Sequence, residues 1–332
     1  RCAMRVCVYP RQRRGDYDNG YIDDFCRSLV ESGVTLVGEE ARNPLLSLFR
    51  YRKVDCYVFH WIENVPNYKW GLMQSAAAWL IVRAARLCGR KVVWFMHNRR
   101  PHSGRRLFLC SALMRLMAAA SDVIVTHSRE GVGLVAERYP HRLRKVRFID
   151  HPTKNRLSDR HISACDYDLL IWGTVSPYKN VDRFVEYAAA NMPGCRILVV
   201  GRCQDDALLK RIVASAGEYI EVWPRPVSFE ELGGLIARSR YVLVPYASQT
   251  LLSSGTLMDS LSFGARVIGP NVGSFADYAA DKRVEVRTYD SYDDIKAILA
   301  ADDRCVDMEG YADFLEQNSW RAFARRFVDV IR

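Results

Sequence analysis

Tyr167-Asp168-Leu169-Leu170-Ile171-Trp172-Gly173-Thr174-Val175-Ser176-Pro177-Tyr178-Lys179-Asn180-Val181 is an apolar run, a glycine turn and the opening of a helical stretch. A short run bounded by glycine reads as a strand buried on both faces, and the stretch after it as a crossover helix. The pattern recurs along the chain. In the first half the strand candidates are 4–10, 34–37, 55–60, 91–97, 122–127 and 146–149. In the second they are 167–172, 195–200, 219–223, 241–245, 266–269 and 283–287. Strands alternating with helical spacing are the signature of parallel α/β sheets, so two six-strand series predict two doubly wound units. His151 to Cys165, with Pro152, Asn155 and no apolar periodicity, reads as the linker between them. The closing stretch from Ser319 to Ile331 reads as an amphipathic helix with Ser319 as N-cap.

The length of 332 residues, about twice the ~150 of a typical domain, agrees with that division. With 49% hydrophobic and 26% charged residues the composition excludes disordered, collagen-like and repeat classes. The longest apolar run, Ser75 to Val82 before Arg83, is far short of the ~18 residues that span a bilayer. The ten cysteines form no C-x-x-C pair and no metal-ligand spacing, and several sit inside apolar runs, which predicts small buried thiols in a reducing cytosol. Because the chain runs from Arg1 almost directly into its first strand, no signal sequence is expected.

Charge divides unevenly. Residues 1–155 hold 27 Lys and Arg against 13 Asp and Glu, a balance of +14, whereas 156–332 hold 21 against 25, or −4. Such asymmetry points to a polyanionic partner for the first half: nucleic acid, an anionic membrane or a phosphorylated substrate. Nucleic acid is the least supported, since no helix-turn-helix, zinc or RNA-binding signature accompanies the charge.

Ligands of open parallel sheets bind outside the carboxyl ends of the strands. Three first-half strands end there in histidine: His60, His97 and His127. One histidine so placed is ordinarily structural, but three of seven at one edge predict a site. His97 also opens His97-Asn98-Arg99-Arg100-Pro101-His102, dense in donors and cations, and Asn19-Gly20 follows the first strand at the same edge. In the second half, Gly173 permits close backbone approach and Lys179 suits a diphosphate at the next helix start. After strand 241–245, Ser254 is placed to cap a helix, the amides of Gly255 and Thr256 to hold phosphate oxygens, and Asp259, one turn inside, to accept ribose hydroxyls.

These residues resemble the retaining GT-B glycosyltransferases of family 4, especially bacterial enzymes of exopolysaccharide and capsule assembly. The resemblance covers nearly the whole chain and rests on Gly173-Thr174-Val175-Ser176-Pro177-Tyr178-Lys179-Asn180, on Ser253-Ser254-Gly255-Thr256-Leu257-Met258-Asp259 with its continuation to Gly264, on Val267-Ile268-Gly269-Pro270, and on His97-Asn98. It implies an acceptor-binding Rossmann-like domain over 1–155, a nucleotide-sugar-binding one over 156–310 facing it across a cleft, and a segment 311–332 crossing back to the first. It also implies hexosyl transfer from a nucleotide sugar to a glycan or lipid-diphosphate-linked acceptor. By the same resemblance Lys179 binds the donor diphosphate, Asp259 the ribose, and His97 lies beside the transferred sugar. Gly173, Thr174, Ser253, Ser254, Gly255 and Thr256 then complete the donor side, and Asn19, Gly20, His60, Asn98, His102 and His127 the acceptor side.

Three positions depart from the family pattern. The usual Gly-Arg pair is Gly173-Thr174, leaving Arg202, Arg225 or another basic residue as the substitute cation; the first acid of the Glu-x7-Glu motif is Leu251; and the glycine pair of the first loop is Asn19-Gly20. No cofactor is expected, and catalysis is expected to be metal-independent, with no Asp-x-Asp pair bridging a divalent ion to the diphosphate. The basic half, and the segment from Gly104 to Met117 mixing arginine with bulky apolar residues, predict a cytoplasmic protein peripheral to the inner face of the plasma membrane. The competing readings are a nucleotide-sugar epimerase of the same fold and a non-catalytic nucleic-acid-binding protein.

Overall fold

The structure is a computed structural model that describes residues 3–11, 20–38, 53–100, 106–157, 165–203, 205–247, 251–301 and 306–332. It divides into two compact units, one of residues 1–152 with 320–332 and one of residues 153–319.

The first unit holds a six-stranded parallel sheet. Its strands are β1 (Arg5–Tyr9), β2 (Thr35–Leu36), β3 (Cys56–His60), β4 (Lys91–Phe95), β5 (Val123–Thr126) and β6 (Val146–Phe148), in the order β2-β1-β3-β4-β5-β6. The described helices between them are α1 (Tyr21–Glu31), α2 (Gly71–Leu87), α3 (Leu107–Ala120) and α4 (Arg129–Arg138). Val58, Val93, Phe95, Val125 and their neighbours are buried without alternation, because helices cover both faces of a parallel sheet. The chain returns to this unit in α12 (Trp320–Ile331). Phe323, Ala324, Phe327, Val328 and Ile331 recur at helical spacing on its buried face, and Phe327 meets Phe25 of α1 with centroids 5.4 Å apart. Lys91 Nζ donates to the carbonyls of Ile331 and Arg332, at 2.7 and 2.8 Å, and so satisfies and charge-complements the end of that helix.

The second unit has β7 (Tyr167–Trp172), β8 (Ile197–Val200), β9 (Ile220–Trp223), β10 (Ser239–Leu243), β11 (Val267–Pro270) and β12 (Val286–Tyr289), all parallel, in the order β12-β11-β10-β7-β8-β9. Its helices are α5 (Val181–Asn191), α6 (Asp206–Ser215), α7 (Phe229–Ala237), α8 (Gly255–Leu261), α9 (Gly273–Ala279), α10 (Tyr292–Ala300) and α11 (Met308–Gln317). Helix starts follow side-chain caps: Asp205, Ser228, Ser254 and Asp307 each accept from an amide in the first turn. The chain reverses direction across the sheet between β7 and β10, so the loops leaving these two strands open side by side.

Residues 311–319, grouped by the sequence with the returning helix, lie in this second unit. Tyr311, Phe314 and Leu315 are buried in its core, and Tyr311 Oη donates to the Ala265 carbonyl at 2.7 Å. The chain rejoins the first unit at Trp320.

Candidate functional site

In the first unit four adjacent strands each deliver a histidine to the carboxyl edge. His60 ends β3, His97 follows β4, His127 follows β5, and His151 comes three residues after β6. Tyr21, the first residue of α1, stands among them. Its ring centroid is 5.6, 5.4, 6.0 and 5.2 Å from those of His60, His97, His127 and His151, and 5.2 Å from Trp320. All four histidines are buried, His60 completely.

The hydrogen bonds fix part of their protonation. Ile149 O can only accept, so His127 Nδ1, 2.7 Å away, carries the proton; its bare Nε2 then accepts from Tyr21 Oη at 2.8 Å. By the same reasoning His151 Nδ1 donates to Pro152 O at 2.9 Å. His60 Nδ1 and His97 Nε2, 2.9 Å apart, share one proton. Burial, reinforced by the neighbouring imidazoles, holds His60 and His97 well below the usual histidine pKa. Burial also pulls His127 down to about 3 and His151 to about 4, so the cluster is neutral at pH 7. Next to it, Glu63 Oε1 accepts from Asn98 Nδ2 at 3.3 Å. Burial pushes the Glu63 carboxyl up to about 7, ahead of the lowering effect of its hydrogen bonds. A neutral imidazole edge with one carboxyl poised near neutrality orients and polarises hydroxyl groups without adding net charge.

In the second unit the two loops at the switch point converge on one cation. Lys179, closing the turn after β7, is 8% exposed, with its Nζ 5.1 Å from the centroid of the Tyr246 ring, three residues after β10. A side chain at Gly173 would place its Cβ 3.5 Å from Lys179 Nζ and 3.9 Å from Thr256 Oγ1, so these groups enclose one small space. Tyr246 Oη and Thr256 Oγ1 are 2.8 Å apart, and Ser254 Oγ caps α8 by accepting from Leu257 N at 3.2 Å. Burial opposes the lysine charge, but the phenol oxygens of Tyr246 and Tyr178 outweigh it and hold its pKa above the ordinary value. Among the described residues no carboxylate pairs with this buried cation.

Backbone freedom makes the approach possible. Gly173 has φ +95° and Gly201, after β8, has φ +152°, and a Cβ at Gly201 would fall 1.9 Å from the Gly173 carbonyl oxygen. Gly201→Ala is therefore expected to push the 173–179 turn off the sheet and to destabilise the second unit by roughly 2 kcal/mol or more. Urea melts of the variant check this.

Asp259 projects from α8, with Oδ1 3.1 Å from Arg156 Nη1; the same nitrogen donates to Ser262 Oγ at 2.7 Å. The Arg156 guanidinium stacks 4.1 Å over Phe229. Of the two arginines offered as substitutes for the missing family cation, Arg225 is paired with Glu231.

Gly173, Thr174, Lys179, Ser253, Ser254, Gly255, Thr256 and Asp259 thus lie on the two switch-point loops and the helix they open. Gly20, His60, Asn98 and His127 gather with His97 at the edge of the first sheet, while Asn19 and His102 fall outside the described residues. His60 has no exposed surface, so it supports His97 and cannot itself touch a ligand. Sequence reasoning passes over Tyr21, Glu63, His151, Tyr246 and Arg156. It also passes over two Asp-x-Asp triplets, Asp16-Tyr17-Asp18 and Asp166-Tyr167-Asp168. The first lies outside the described residues. The second stands at the amino end of β7, the edge away from Lys179, with Asp168 tied to Arg240 and Arg196 and Asp166 to Arg238. No group of three or more His, Cys, Asp or Glu among the described residues is arranged to hold a metal. The eight described cysteines are all free thiols.

No protein-family model and no curated protein matches the sequence. Solved structures do share the fold. A glycosyltransferase involved in avilamycin A biosynthesis, AviGT4, is 17% identical with a TM-score of 0.62, over 99% of this chain and 97% of its own. HepE of Anabaena, in complex with UDP and glucose, is 10% identical with a TM-score of 0.69, over 99% of both chains. The lipopolysaccharide outer core galactosyltransferase WaaB is 10% identical with a TM-score of 0.64, again over 99% of both. The two parallel six-strand sheets with flanking helices are those of GT-B glycosyltransferase structures.

Proposed function

We propose that this chain is a glycosyltransferase that moves a sugar from a nucleotide-diphosphate donor to a glycan or lipid-diphosphate-linked acceptor. The observation that carries the reading is the buried Lys179, with no carboxylate partner among the described residues, between Gly173 and Thr256 at the switch point of the second sheet. A cation so placed is stabilised by an incoming diphosphate. UDP and glucose bound to HepE, a structure of the same fold, support a nucleotide-sugar donor.

In the reaction the bond from the sugar anomeric carbon to the diphosphate oxygen breaks and a bond to the acceptor hydroxyl oxygen forms. The hydroxyl proton leaves on the departing phosphate. Lys179, the Thr256 hydroxyl and the amides of Gly255 and Thr256 receive the developing phosphate charge, and Asp259 holds the ribose. His97 with Asn98 orients sugar hydroxyls, backed by His60, His127 and Tyr21. We take the outcome as retaining and independent of a divalent ion, following the family resemblance, and the role as surface-polysaccharide assembly.

The basic first half supports an anionic membrane surface, on its cytoplasmic face, as the place where the acceptor is met. Among the described residues no helix is long and apolar enough to cross a membrane. The arginine-bearing helix predicted near 104–117 is α3, with Leu113, Met114 and Met117 packed inward and Arg115 exposed.

A panel of UDP-, GDP-, CMP- and dTDP-sugars tests the donor assignment through melting shifts. A matched diphosphate donor at a hundred times its Kd should add about 2.7 kcal/mol to the stability of the second unit. No shift with any diphosphate nucleotide would overturn the assignment.

A further inference from the structure

Helix α2 is apolar on two sides. Ala77, Ala78, Ile81, Val82 and Ala85 are buried, as expected of a crossover helix. Leu72, Met73, Trp79, Leu80 and Leu87 are exposed, Leu80 by 51% and Leu87 by 89%. Positions 72, 76, 79, 80, 83 and 87 fall on one helical stripe, so the outward face is a continuous apolar band interrupted by Arg83. That guanidinium lies 4.1 Å over the Trp79 ring. The helix contains no acidic residue.

The band extends beyond the helix. Arg106, at the start of α3, donates to the Pro66 carbonyl at 2.6 Å, and Gly71, at the start of α2, sits directly against that same carbonyl. The amino ends of both helices therefore meet at the Ile62–Asn67 turn, and there Trp70 is 69% and Phe108 76% exposed. Large apolar side chains exposed side by side on a folded domain mark an interaction surface.

The chemistry selects the cover. The stripe carries only positive charge, in a half of the chain whose balance is +14. A two-fold contact between copies would set Arg83 and its cationic surroundings against themselves. Tryptophan, leucine and phenylalanine beside arginines able to extend toward phosphates instead match the headgroup boundary of an anionic bilayer.

We propose that the outward face of α2, with Trp70 and Phe108, inserts into the interface of an anionic bilayer. This rests on the membrane part of the reading above but assigns the contact to apolar insertion through α2 in place of charge attraction through α3. It requires no glycosyl transfer.

The test uses phosphatidylcholine vesicles with rising phosphatidylglycerol content, some brominated on the acyl chains, with no donor or acceptor present. Tryptophan fluorescence should be quenched by the brominated chains, and the quenching should be lost in Trp70→Phe/Trp79→Phe. Leu72→Ser/Leu80→Ser should weaken vesicle partition by roughly tenfold or more, with the melting temperature unchanged because both sites are exposed. Arg115→Ser should leave quenching in place. Anionic-lipid binding that survives Leu72→Ser/Leu80→Ser without quenching would overturn insertion and leave a purely electrostatic membrane contact. Absence of binding would overturn both. A lipid-free dimer that dissociates on Leu80→Ser would assign the stripe to a second copy and overturn the proposal.

Discussion

Acidification from pH 7 to about pH 4 is expected to weaken the first unit strongly. His127 is held at about 3 and His151 at about 4 in the fold, chiefly by burial, against about 6.5 in the unfolded chain. The sign follows from proton counting. Below 6.5 the unfolded chain binds protons that the native cluster refuses, so the stability is complete above 6.5 and drains as pH falls. At about 1.4 kcal/mol per unit, His151 loses about 3 kcal/mol by pH 4 and His127 a similar amount. His60 and His97 act in the same direction. Together His127 and His151 reach the lower end of the ~5–15 kcal/mol that typically holds a domain together, before the opposing effect of Glu63.

Glu63 acts the other way. Its folded pKa is raised to about 7, so between 7 and 4.5 the native state keeps a proton that the unfolded chain has released, and its contribution grows as pH falls. Urea melts from pH 7 to 4.5, followed by tryptophan fluorescence, should give a shallower fall in stability for His127→Gln and a steeper one for Glu63→Gln. Equal slopes in wild type and both variants would show that the cluster is solvated and not buried as neutral rings.

The strands were legible because parallel strands covered on both faces must be apolar throughout; each of the twelve runs overlaps an observed strand, with the ends of some displaced, by two residues at β10 and by up to three at β12. The carboxyl-edge histidines were legible for the same reason, as polar residues ending apolar runs. His151 was not, because it lies beyond β6 in a stretch whose Pro152 and Asn155 carry the signature of a linker. Tyr21 and Tyr246 gain their meaning only from the fold: one looks like an ordinary first-turn residue and the other like the end of a strand, until sheet order sets them beside His127 and Lys179. The apolar band of α2 was hidden by its own composition. A helix apolar on all sides gives no periodic contrast, and only burial separates Leu80 from Ile81.

Replacement of Lys179 is expected to abolish most donor affinity without weakening the fold, and that combination distinguishes a ligand-binding cation from a structural one. A charge-assisted contact to a phosphate contributes about 1.5–3 kcal/mol, so Lys179→Met should weaken binding of a diphosphate nucleotide by at least about tenfold. The methionine keeps the buried stem that packs against Tyr246 and Tyr178. It also removes a desolvated ammonium that, among the described residues, no carboxylate offsets. Because Tyr246 and Tyr178 outweigh the cost of that burial, apo stability should change little. Lys179→Ala should lose affinity equally, but it leaves a void beside the two tyrosines and should also lose some stability. Because the tyrosines hold the lysine pKa above its usual value, affinity in the unsubstituted protein should stay flat from pH 7 to about 10 wherever the fold persists. Calorimetric titration of both variants with diphosphate and monophosphate nucleotides measures this. Affinity unchanged in both would remove Lys179 from the donor site, whereas a loss confined to diphosphates would place the ammonium at the bond that breaks.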